Sequence, residues 1–86
     1  MDADFHYKSL TFYIESLKTV REEIVSQKEE IYDPIKAESL IQSYKYTIRV
    51  ILQHCEHFMS KEKEDWSKLE EVSKINREYK KFLSAL

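Results

Sequence analysis

The chain predicts an all-α fold, an antiparallel three-helix bundle running up-down-up, and three observations predict it. Its 86 residues hold no glycine and one proline, so the usual sources of positive φ, tight hairpins and phosphate-cradling loops are missing. Apolar residues recur at three and four along most of the length, the spacing of helices with one greasy face. A break at "YDPIK" and a second beside Ser60 divide that pattern into three.

The first stripe is Leu10, Tyr13, Leu17, Val20, Ile24 and Ile31, interrupted only at Gln27, and it predicts one amphipathic helix over about 5–31. At "YDPIK" the Asp33 carboxylate is placed to accept from the free amides of the next turn. Pro34 suits the first helical position because it has no N–H to satisfy there. The second helix, expected over about 34–59, carries Ala37, Ile41, Tyr44, Ile48, Ile51, Cys55 and Phe58, widened by Leu40, Tyr46, Val50, Leu52 and Met59. So broad an apolar surface predicts a helix sandwiched between neighbours.

Trp66, Leu69, Val72, Ile75, Tyr79, Phe82, Leu83 and Leu86 predict a third helix over about 61–85. Ser60 is its expected N-cap. Glu62, Glu64 and Asp65 suit the positive start of that helix, and His54 and His57 the negative end of the one before. An alternative reading runs the second heptad on through Glu62, Asp65, Leu69, Val72, Asn76, Tyr79, Leu83 and Leu86, making helices 2 and 3 one rod that needs a dimer to cover its far half. Two carboxylates at core positions favour the break. The whole chain, 1–86, is thus expected to form a single slender helical domain, short enough to bury only about 60% of its unfolded surface.

Charged residues make up 35% and hydrophobic ones 42%, too apolar for a disordered chain and too charged for a membrane protein. The longest apolar run is Val50 to Leu52, against the roughly 20 residues needed to span a bilayer, and "MDADFHYK" lacks the basic region of a signal peptide. One cysteine cannot form an internal disulfide. Together these predict a cytoplasmic location. With a net charge of -2, bulk attraction to nucleic acid is not expected. The local basic excess at Lys74, Arg77, Lys80 and Lys81 lies among Glu70, Glu71 and Glu78. It reads first as a solvated helix face and only third in rank as a weak nucleic-acid surface.

The stretch "LQHCEHF", 52–58, holds the densest chemistry. A nucleophilic thiol on a helix needs a base three or four positions away, and around Cys55 those positions are Ile51, Leu52, Phe58 and Met59. Cys55 is therefore expected to be a small core residue, no catalytic residue is assigned, and the chain is not expected to be an enzyme. His54 and His57 lie three apart. In a hairpin turning at 32–33, residues whose numbers sum to about 65 face each other, which brings His6 to the same end. His6, His54 and His57 are the candidate metal ligands, with Asp2, Asp4 and Glu56 near enough to complete a shell that would suit zinc. The spacing is not the H-E-x-x-H of a metalloprotease, and helix-end electrostatics is the leading account of the cluster; no other cofactor is expected.

Phe5 and Phe12 fall off the first stripe, seven apart along one flank, and Tyr46 and Val50 share a face of the second helix turned from the seam. Aromatics aligned over two turns predict an association patch. The leading expectation is a non-enzymatic protein-interaction module, a small regulator, inhibitor or assembly subunit, whose partner is another protein or a second copy in a homodimer. A metal-binding bundle ranks second. Neither a membrane nor a small-molecule substrate is expected.

Overall fold

Residues 2–29 and 33–86 are described in the computed structural model. They form α1 (Ala3–Glu29), α2 (Pro34–Lys61) and α3 (Trp66–Ala85), packed against one another, with no strand among the described residues. The expected final turn of the first helix, including Ile31, lies outside them.

The start of α2 follows from two residues. Asp33 is extended, with φ -116° and ψ 105°, and its carboxylate accepts from the N–H of Ile35 at 3.1 Å and of Lys36 at 3.3 Å. Pro34 occupies the first turn, where no donor is required. This is the cap expected from "YDPIK".

The second break falls later than expected. Ser60 is not an N-cap: it lies inside α2, and its hydroxyl donates to the His57 carbonyl at 2.9 Å. The helix ends at Lys61, where Glu62 turns to φ -78°, ψ 127° while its own N–H still donates to the Phe58 carbonyl. The Glu62 carboxylate then accepts from the N–H of Glu64 at 3.2 Å and of Asp65 at 3.0 Å. Asp65 caps α3, accepting from the N–H of Lys68 at 3.1 Å. Carboxylates are better partners than a hydroxyl for the amides that a helix break frees, because the acceptor carries charge. The two acids therefore hold the connection between α2 and α3, α3 begins at Trp66 rather than near 61, and the continuous rod does not form.

α2 is the central element. Both other helices pack along it, and α1 meets α3 only slightly. The buried core draws Leu10 and Leu17 from α1, Ile48, Ile51, Cys55 and Phe58 from α2, and Val72 from α3. The expected sandwich thus holds for the second half of α2. Ile35 and Ile41, in the first half of α2, are exposed.

The inward row of α3 is Leu69, Val72, Asn76, Tyr79 and Leu83, with Ile75 half-buried beside it. Trp66, placed on the apolar stripe by spacing, is instead 77% exposed, and Phe82 and Leu86 are also exposed. The buried row is the one that continues the heptad of α2. Near the start of α3 the Tyr7 hydroxyl donates to Glu71 at 2.7 Å, and the Lys68 ammonium sits 4.6 Å from the Tyr7 ring centre. The molecule measures 51 × 21 × 17 Å, and among the described residues no helix is long and apolar enough to cross a membrane.

Candidate histidine cluster and aromatic flank

The first turns of α1 lie against the last turns of α2. Tyr7 packs on Phe58 with ring centres 5.6 Å apart, and the same pairing sets His6 against His54 and His57. His6 is buried, 7% exposed. Its Nδ1 lies 2.9 Å from Nδ1 of His54, a hydrogen-bond distance between two nitrogens of the same kind. One of them carries the proton and the other offers its lone pair, so the two rings hold opposite tautomers.

Aromatic groups close around this pair. His57 stacks on His6 with ring centres 5.0 Å apart and planes inclined by 17°. Tyr13 stacks on His54 at 5.5 Å. Phe5 lies edge-on to both His6 and His54, at 5.4 and 6.0 Å. Burial lowers the pKa of His6 from its ordinary value, and the neighbouring charges that lower it further are those of His54, His57, Lys61 and the amino terminus. Burial also lowers that of His54, with His57 adding to the effect. Desolvation penalises an imidazolium, and neighbouring cations compound the penalty.

Two of the three carboxylates expected to complete a metal shell, Asp2 and Asp4, are otherwise engaged. Asp2 accepts from the Phe5 N–H at 3.0 Å, covering a free amide at the start of α1. Asp4 pairs with Lys8 at 3.0 Å. Among the described residues, no group of three or more His, Cys, Asp or Glu side chains is arranged to hold a metal ion. What the cluster does chemically is share a proton between two neutral imidazoles.

Cys55 is fully buried, and burial pushes its thiol up to about 12, with Glu56 adding to the rise and Lys80 opposing it. A thiol that weakly acidic carries almost no thiolate near neutrality, so it behaves as an inert core residue. Lys74, Arg77, Lys80 and Lys81 are exposed on α3, with Arg77 donating to the Ser73 hydroxyl at 3.2 Å. A groove of about 80 Å³ between Ile14, Leu17, Lys18, Arg21, Tyr44, Tyr79 and Phe82 is far smaller than the pockets that enclose small ligands.

The third helix approaches α1 on the side of Tyr7 and Ile14. Phe5 and Phe12 lie on the opposite side of α1. Phe12 and Tyr46 are each 66% exposed, Phe5 is exposed as well, and Val50 is half-buried. Tyr46, Val50 and His54 follow one another at intervals of four on α2, and Phe5 touches His54, so the aromatic flank and the histidine cluster are continuous. Spacing alone missed the role of Asn76, which is buried with its side-chain oxygen lacking a hydrogen-bond partner. Its place in the heptad running on from α2 was the available signal. Comparison with protein-family models, curated proteins and solved structures finds no match to this chain.

Proposed function

We propose that this protein is a non-enzymatic helical interaction module, an up-down-up bundle that associates through the flank of α1 and α2 left uncovered by α3. The course of the chain is supported by the ring pairs Tyr7–Phe58 and Tyr13–His54, which join the start of α1 to the end of α2. The observation that carries the reading is the exposure of Phe12 and Tyr46 on that flank. Large aromatic side chains contribute more to association than any other residue type when a partner desolvates them.

A second copy of the chain is the first occupant to test. Two such flanks set face to face enclose a four-helix layer, a common closed arrangement for amphipathic helices, and a twofold axis makes one patch serve both partners. A regulator, inhibitor or assembly subunit in the cytoplasm, where a free thiol such as Cys55 stays reduced, fits this reading. Sedimentation at micromolar concentration tests it. The wild-type chain is expected to form a dimer that the pair Phe12→Lys and Tyr46→Lys disperses without loss of helical circular dichroism. A wild-type monomer, or a dimer indifferent to both substitutions, would overturn the assignment.

A further inference from the structure

We infer that the contact between His6 and His54 is a proton-counting latch: one Nδ1 proton closes the seam between α1 and α2, and protonation of both rings opens it and disturbs the aromatic flank. The chemistry follows from the contact itself. Two Nδ1 atoms 2.9 Å apart accommodate a single hydrogen between them. If both rings are imidazolium, each Nδ1 is a donor, the hydrogen bond is lost, and two like charges face each other in a desolvated seam.

The surroundings decide how far the latch tolerates acid. From α2 the groups acting on His6 are His54, His57 and Lys61, and from the chain's beginning the amino terminus; all are cationic when protonated, and among the described residues no carboxylate or α3 group acts with them. Asp2 and Asp4, the nearest acids along α1, are occupied by the Phe5 amide and Lys8. Tyr13, stacked on His54, offers its ring face to a cation. When one ring of the pair gains a proton, its Nδ1–H still reaches the lone pair of the other. A proton on the second ring of the pair has no such compensation, because both Nδ1 atoms are then donors.

The sign is that of a base whose charged form folding disfavours. Both His6 and His54 are lowered from the ordinary 6.5, so just below pH 6.5 the unfolded or opened chain binds more protons than the closed one. Closure is fully favourable above that value and weakens as pH falls through it toward the lowered native values. Phe5 lies against both rings of the pair, so opening the latch moves an edge of the association flank. That last link rests on the function proposed above; the latch does not.

Two measurements separate them. Amide hydrogen exchange, corrected for the intrinsic pH dependence, is expected to show residues 3–13 losing protection on the order of tenfold between pH 7.5 and 5. The double variant His6→Leu with His54→Leu is expected to abolish that loss, and an unchanged loss in the variant would overturn the latch. Should the variant not fold, nuclear magnetic resonance titration of the wild-type imidazoles decides instead. The latch predicts separate, coupled steps for His6 and His54, the second below 6.5, whereas two independent titrations near 6.5 would refute it. Sedimentation at the same pH values tests the coupling: a dimer weakened by acid in wild type alone supports it, and a dimer unaffected by acid removes it. A monomer at both values with exchange still acid-sensitive would overturn the association flank and leave the latch standing.

Discussion

Asn76 sits where the heptad calls for an apolar side chain, and its buried carbonyl oxygen has no partner. Burying an unpaired amide costs about 1–3 kcal/mol, so Asn76→Leu is expected to raise the urea midpoint by an amount in that range. Equal or lower stability would mean that the amide is paired in solution. Cys55 gives a prediction in the alkaline range. Its thiol ionises near 9 when unfolded and about 12 when folded, so between those values the unfolded chain binds fewer protons and stability falls as pH rises. Tyr7 and Tyr79, both raised above the ordinary 10, add to the decline at higher pH. Cys55→Val should flatten the urea midpoint between pH 8 and 10 while leaving the later fall in place. Cys55 was legible as a core residue because its neighbours at three and four are all apolar, but the unpaired state of Asn76 depends on what α2 presents to it.

At the scale of elements the two connections differ in how openly they are written. Asp33 and Pro34 act on amides within three residues, so the start of α2 could be read from a tetrapeptide. The end of α2 rests on Glu62 folding back over the amides of Glu64 and Asp65, a loop geometry that spacing does not specify. Ser60 resembles a cap in one dimension and spends its hydroxyl on its own helix in three. Substitution separates the two: Asp65→Ala should cost about 1 kcal/mol through loss of the cap, while Ser60→Ala should change stability by less than about 0.5 kcal/mol. The reverse order in urea denaturation would return the cap to Ser60.

At the scale of the whole molecule, α2 carries most of the core and Phe58 is the largest fully buried side chain. Phe58→Ala is expected to cost about 3–5 kcal/mol, a large part of the roughly 5–15 kcal/mol that holds a small domain together. Thermal melting should therefore show a broad, low transition, and a loss below about 1 kcal/mol would mean that the core lies elsewhere. Helical class, the cap at Asp33 and the gathering of three histidines at one end were all set by the chain itself, since periodicity, local hydrogen bonding and turn position are properties of neighbouring residues. The tertiary structure alone decided which flank α3 covers, where α2 ends, that Trp66 faces water, and that His6 meets His54 nitrogen to nitrogen. Apart from the end of α2, those outcomes depend on how far each helix rotates about its axis as cores interlock, and a rotation of a few tens of degrees exchanges a buried neighbour for an exposed one.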